Sequence, residues 1–219
     1  THVLVEKPVA MALTEADELI ALAREQGLVL QVGHQERYVF DAFGLLSGRP
    51  APREIHSRRL NKFSGRAMDV SVTYDLMIHD LDLLCQIVRS PLSQVETKVD
   101  RQHGDKWDRV ETELIFEDGT IARLAASRLE QEMTRDMRLV YEDGEIVINF
   151  LTKEISNTTP IPLAQDFSGD TPALADSLGF GTNLFLAAVR GEGETIVTGE
   201  DGRAALELAL KIEQAGTQI

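Results

Sequence analysis

Two short stretches of this chain hold the side chains that could move a proton and a hydride together: Lys7 in Glu6-Lys7-Pro8, and Asp75 and His79 in Asp75-Leu76-Met77-Ile78-His79. An ammonium can polarise a hydroxyl oxygen, and an imidazole can take and return its proton. A carboxylate can orient the imidazole while hydride leaves a carbinol carbon. On an α-helix a spacing of four places Asp75 and His79 on one face, where the carboxylate would accept the imidazole hydrogen bond and fix its tautomer. Leu76, Met77, Ile78, Leu81, Leu83 and Leu84 make this segment apolar nearly all round, and a buried helix keeps a His and Asp pair only with partners. The alternative is a polar helix face that happens to carry His79, Asp80 and Asp82. Those same residues are suitable metal ligands, yet His79 and Asp80 are adjacent and diverge around a helix, with no second histidine at ligand spacing. No metal is expected.

The elements that must position these groups follow from periodicity. His2 to Val5 is a short apolar run that ends at Glu6-Lys7-Pro8, as a buried strand facing a cleft would. Thr14 reads as the N-cap of the next helix, with Asp17 in the capping-box position. Leu13, Ala16, Leu19, Ile20 and Ala23 recur at helical spacing up to Gly27. Leu28 to Val32 is a second apolar run, so strand, helix, strand makes a βαβ unit with a parallel sheet. In such sheets ligands lie beyond the carboxyl ends of strands, which is where Lys7 stands, although a surface strand end with a turn proline has the same sequence. His34, in the polar turn after the second strand, is the one other histidine worth testing. His56 and His103 read as incidental.

Further along, a short helix is expected over Tyr38 to Leu46, a strand from about Arg53 to Leu60 and a helix from about Val72 to Val88. Strands follow over Gln94 to Val99, Arg109 to Phe116, Thr120 to Ser127, Met137 to Tyr141 and Glu145 to Phe150. Asp118-Gly119 and Asp143-Gly144 supply tight hairpin turns, which suggests an antiparallel meander. Residues 157 to 172, rich in proline and polar residues, read as a surface crossing. Two helices close the chain, one stopped at Gly191 and one beginning at Glu200-Asp201-Gly202. The fold class is thus α/β plus α+β. The boundary falls near residue 36, between a parallel α/β piece, 1–36, and an α+β domain, 37–219, with an open, mostly antiparallel sheet, whose last helix, about 201–215, can pack back on the first piece.

Lys and Arg number 22 against 36 Asp and Glu, a net charge of −14, so the overall field repels nucleic acid and anionic membrane surfaces. Arg53, Arg58, Arg59, Lys62 and Arg66 form the one locally basic stretch and could meet a phosphate-bearing small molecule. No apolar run reaches the roughly 20 residues that span a bilayer. The sequence shows no signal-peptide pattern, and a cytoplasmic location is the expectation. The single Cys85, set among leucines, reads as a buried apolar side chain.

Four motifs in order resemble the glucose-fructose oxidoreductase, inositol dehydrogenase and rhizopine catabolism (Gfo/Idh/MocA) family. They are Val3-Leu4-Val5-Glu6-Lys7-Pro8, Val32-Gly33-His34-Gln35-Glu36-Arg37-Tyr38, Asp75 to Asp82, and a tail with Phe185 to Arg190 and Gly199 to Glu207. The resemblance implies an NAD(P)-dependent dehydrogenase of a sugar, sugar-nucleotide or cyclitol hydroxyl. Lys7 would lie near both nicotinamide and substrate, His79 would be the acid/base and Asp75 its orienter. It places Glu6, Lys7, Pro8, His34 and Arg37 at the cofactor, NAD or NADP, and Lys7, Asn61, Arg66, Asp75 and His79 at the substrate. It also implies a homo-oligomer that pairs through the open sheet. The lead-in Asp69 to Leu76 looks closest to members that oxidise the 3-hydroxyl of UDP-N-acetylglucosamine.

No glycine of this chain falls in G-x-G-x-x-G between a strand and a helix, the turn that cradles a dinucleotide pyrophosphate. The resemblance therefore implies a truncated dehydrogenase, inactive by itself, in which residues 1–36 are the C-terminal remnant of the dinucleotide-binding domain and their unpaired strand edges favour association or disorder. The competing expectation is a stand-alone, non-catalytic module that dimerises or captures a ligand through its sheet.

Overall fold

A computed structural model describes residues 1–46, 48–164, 168 and 170–218. Its first sheet is small: β1 (Val3–Val5) runs parallel to β2 (Leu30–Val32), joined by α1 (Leu13–Glu25). Val5 pairs with Val32, so the carboxyl ends of both strands, carrying Lys7 and His34, finish side by side. Ala12, not Thr14, is the N-cap of α1. Glu15 Oε2 accepts the backbone N–H groups of Met11 and Ala12 at 3.2 Å, while Asp17 leaves the helix start to accept from Arg203 Nε. An acidic residue one position on from Thr14 satisfied the orphan amides, which moved the cap upstream.

The second sheet has eight strands in the order β10-β4-β5-β6-β3-β7-β8-β9. These are β3 (Glu54–Leu60), β4 (Leu92–Asp100), β5 (Arg109–Phe116), β6 (Ile121–Ser127), β7 (Thr134–Tyr141), β8 (Gly144–Asn149), β9 (Glu154–Asn157) and β10 (Gly216–Gln218). The expected simple meander is corrected. β3 enters between β6 and β7, parallel to the first and antiparallel to the second, and splits the meander into two antiparallel halves. The two Asp-Gly turns do close the β5–β6 and β7–β8 hairpins, and Gly119 adopts φ 87°, which favours glycine. β9 and β10 were not anticipated, because each is short and lies at a sheet edge. Of the expected surface crossing, residues 165–167 and 169 lie outside the described residues.

One face of this sheet is covered and the other is open. Along β3, Ile55, Ser57 and Arg59 turn to the covered face and are buried, whereas His56 and Arg58 turn away. The covering layer is α3 (Ile78–Ile87) and α6 (Gly199–Ala215), whose Leu81, Leu84, Leu208 and Ile212 close a core with Val110, Leu114, Leu124, Leu139, Ile146 and Ile148. The helix expected over Val72 to Val88 has a wider first turn, a π-helical stretch at Thr73–Met77 ahead of α3.

α6 also joins the two sheets. A Cβ on Gly202 would come within 2.8 Å of Val32, so only glycine lets the helix lie this close to β2. Thr198 caps α6 and exchanges hydrogen bonds with Asp201. Val197 O accepts from Val32 N, and Gln31 donates its side-chain amide to Gly181 O in α5 (Ser177–Val189). Two shorter helices, α2 (Glu36–Ala42) and α4 (Pro172–Ala175), complete the inventory. α2 begins at Glu36, two residues before the predicted start.

Candidate active site

Lys7, Asn61, Arg66, Asp75 and His79 line one cleft of about 540 Å³, which opens where the carboxyl end of β1 meets the π-turn, α3 and the end of β3. Lys7 Nζ donates to the backbone oxygen of Asp75 at 2.5 Å and to its Oδ1 at 3.1 Å. Asp75 therefore holds the lysine. The expected Asp75–His79 pair is not formed: the wide π-turn takes Asp75 out of the i,i+4 relation that an α-helix would impose and turns it to Lys7.

His79 has a different partner. Its Nδ1 lies 3.0 Å from Glu36 Oε2, at the start of α2, a close contact whose angles fall outside those of an aligned hydrogen bond. Glu36 Oε1 accepts from Arg59 Nη1 at 2.8 Å, and Arg59 reaches across to Asp80 with two further bonds of 2.9 and 3.1 Å. Burial opposes the ionised form of Glu36, but the charges of His79 and Arg59 outweigh it and hold the carboxyl well below its usual range. For Arg59 burial is again outweighed, by Asp80 and Glu36, so the guanidinium stays charged.

His34 is buried at the end of β2, its ring set edge-on to that of His79 with centroids 5.9 Å apart. Neither ring nitrogen has a hydrogen-bond partner among the described residues. Burial first, then the charges of His79 and Arg37, keep it neutral, with its pKa well below 6.5. The Lys7–Pro8 peptide is cis. Glu6 lies against Gly33, where an added Cβ would meet its carboxylate at 3.0 Å. Lys7, Pro8 and an unpartnered buried His34 at two adjacent strand ends fit the nicotinamide end of a dinucleotide. Among the described residues no Gly-rich turn is present for its pyrophosphate.

Arg37 does not face the cleft. Its guanidinium is buried in a double contact with Asp82 and a 3.5 Å ion pair with Asp201, and it fastens α2, α3 and α6. With Asp80 committed to Arg59 and Asp82 to Arg37, the acidic residues around His79 are spent on guanidinium groups. Arg58, from the basic stretch expected to meet a phosphate-bearing molecule, points instead to the open face and pairs with Asp136. Lys62 and Arg66 do reach the cleft. The larger hollow, about 690 Å³, lies on the open face among side chains such as Glu96, Lys98, Glu111 and Arg123. It lacks the convergence of Lys7 and His79, which decides for the smaller cleft.

Reading the sequence assigned no role at the site to Glu36, Arg128 or Arg135, and placed Arg59 only within a basic stretch, without its buried partners. Arg59 carried a usable signal, since a charged residue on the inward parity of a strand must bring its own counter-charges. Glu36 carried none, because its role depends on where α2 begins.

A parallel βαβ with a lysine at its strand end, joined to an open mixed sheet whose covering helix bears the histidine, defines a two-part oxidoreductase scaffold. Residues 1–34 match the family model described as an oxidoreductase family with NAD-binding Rossmann fold, and 46–147 match the GFO/IDH/MocA C-terminal domain. The chain is 35% identical over 223 residues to UDP-N-acetylglucosamine 3-dehydrogenase of Acidithiobacillus ferrooxidans, which spans 98% of this chain and 71% of that protein. A solved structure of that enzyme superposes with a TM-score of 0.87 at 33% identity, covering 99% of this chain and 70% of the other. 1,5-Anhydro-D-fructose reductase of Ensifer adhaerens is 26% identical, over 98% of this chain and 70% of that one. The chain belongs to the Gfo/Idh/MocA oxidoreductase family.

Proposed function

We propose that this chain carries the substrate side of a dehydrogenase that oxidises a ring hydroxyl of a nucleotide-linked sugar. The observation that supports the reading is the convergence of Lys7, from β1, and His79, from α3, on one cleft. A nicotinamide dinucleotide, NAD or NADP, supplies the hydride acceptor. His79 Nδ1 is turned to Glu36, so Nε2 is the nitrogen that can accept the hydroxyl proton. Lys7, held by Asp75, directs a positive charge at the oxygen and stabilises the negative charge that develops as its proton leaves. Asp75 acts as a positioning residue for Lys7, and Glu36 as one for His79. The likeness to a UDP-N-acetylglucosamine 3-dehydrogenase supports the sugar-nucleotide class, as does the basic lining of the cleft.

His79→Asn in the protein that carries this chain tests the reading. Turnover should fall by about 10²–10⁴-fold with the fold retained, and near-normal turnover would remove His79 from the mechanism. The 219-residue chain alone should bind NADH weakly, since the described residues supply only the nicotinamide end. Micromolar binding by calorimetry would contradict this. The open face of the large sheet is the surface through which we expect copies to pair.

A further inference from the structure

The cleft is lined by Lys7, Arg59, Lys62, Arg66, Arg128 and Arg135 against a single lining carboxylate, Asp75, in a chain whose net charge is −14. Three of these cations are already neutralised: Lys7 by Asp75, Arg59 by Glu36 and Asp80, and Arg128 by Asp108 at 2.6 Å. Lys62, Arg66 and Arg135 have no ion-pair partner among the described residues. Lys62 and Arg66 are exposed, and water solvates them. Arg135 differs. It is half-buried, and its Nε is shielded from solvent without a hydrogen-bond partner among the described residues.

Its register sharpens the point. Arg135 on β7 is directly opposite Arg59 on β3, both on the covered face. Like charges directly across an antiparallel pair are destabilising. The carboxylates nearest enough to act on Arg135, those of Glu36, Asp80 and Asp75, are each engaged by another cation. Burial and the charge of Arg59 both disfavour the protonated form, so the free protein holds an uncompensated guanidinium at a cost. A fold that keeps such a group beside a cleft has a use for it there.

We infer that Arg135 is the anchor for the diphosphate of the substrate, with Lys62 and Arg66 completing the anion site at the rim. A planar fork of donors suits phosphate oxygens, and three uncompensated cations match a group that carries more than one negative charge. That the anion belongs to the substrate rests on the dehydrogenase reading above. That an anion binds does not.

The test titrates uridine diphosphate, inorganic pyrophosphate and glucuronate into the native protein and its Arg135→Gln and Arg135→Lys variants, by calorimetry at two salt concentrations. Arg135→Gln should weaken uridine diphosphate by about tenfold or more and flatten its salt dependence, with Arg135→Lys in between. The KM of a sugar nucleotide should rise in parallel while kcat changes little, as for a contact made equally in ground and transition states. Because the substitution removes a like-charge pair, the thermal midpoint of ligand-free Arg135→Gln should match or exceed that of the wild type. A purely structural arginine would lower it. Unchanged uridine diphosphate affinity, a lowered midpoint, or glucuronate binding more tightly than the diphosphates would each overturn the assignment. Loss of diphosphate binding in Arg135→Gln, from a protein that transfers no hydride to or from a sugar nucleotide, would uphold Arg135 and sink the dehydrogenase reading. Hydride transfer with an unchanged KM in Arg135→Gln would do the reverse.

Discussion

Arg58 and Arg59 are neighbours on β3, yet they inhabit opposite faces of the same sheet and different physical regimes. Arg59 turns to the helices, is 1% exposed and makes three hydrogen bonds to two carboxylates. Arg58 turns to the open face, where its side chain is 60% exposed and its partner is Asp136. In each case the contact distances are those of a salt bridge. What differs is the alternative available if the partner is lost: Arg58 can return to water, whereas the carboxylates around Arg59 cannot. The strand's period of two therefore separates a charge network that holds His79 from a set of surface pairs with little hold on the fold.

Substituting Arg59 tests the buried side most severely. Arg59→Met would leave Glu36 and Asp80 buried without their shared cation, and we expect a loss of roughly 3–5 kcal/mol, read as a lower denaturant midpoint at constant m-value. A loss below about 1 kcal/mol would mean that the network is no tighter than a surface pair. Removing the anion partners together with the arginine should recover much of the loss, since the penalty lies in stranded charge and not in missing contacts.

The next effect is set by pH. His34 is neutral and unpartnered, with a folded-state pKa well below 6.5 because burial, and then His79 and Arg37, oppose its protonation. As pH falls below about 6.5 the unfolded chain gains a proton that folded His34 refuses, so stability is present above that pH and drains away beneath it. The slope from this residue approaches ~1.4 kcal/mol per pH unit. His34→Phe should flatten the stability profile between pH 6.5 and 5 while leaving its neutral-pH value close to wild type. An unchanged profile would show that His34 takes up its proton as readily in the folded protein as in the unfolded chain.

The two faces also differ in how far they could be read from sequence. Strand periodicity and the Asp-Gly turns exposed most of the large sheet, because alternation and turn chemistry are local. The insertion of β3 between β6 and β7 was not legible, since nothing within Glu54–Leu60 specifies a neighbour 67 residues on. At the site, Lys7 and His79 could be found by motif, but their partners could not. The i,i+4 rule assigned Asp75 to His79, and one π-turn reassigned it to Lys7. Arg37 had the composition of a ligand-binding residue, and only three-dimensional packing revealed Asp82 and Asp201 around it.

The smallest expected effect is on the open face. Arg58→Ala removes a bidentate pair with Asp136, but both groups can be rehydrated, so dilute protein should lose no more than about 1 kcal/mol. The same holds for Arg123, which shares Glu54 and Glu113, and for Arg138 with Glu145. If copies of the chain pair across this face, as we propose, the surface becomes an interior and the rule changes. The Arg58–Asp136 pair would then be desolvated, and its loss would resemble that of Arg59. The effect of Arg58→Ala on the thermal midpoint should accordingly grow with protein concentration, alongside a rise in the dissociation constant measured by sedimentation. A small effect at every concentration would place the pairing surface elsewhere and leave the contrast between the two arginines as a property of the single chain.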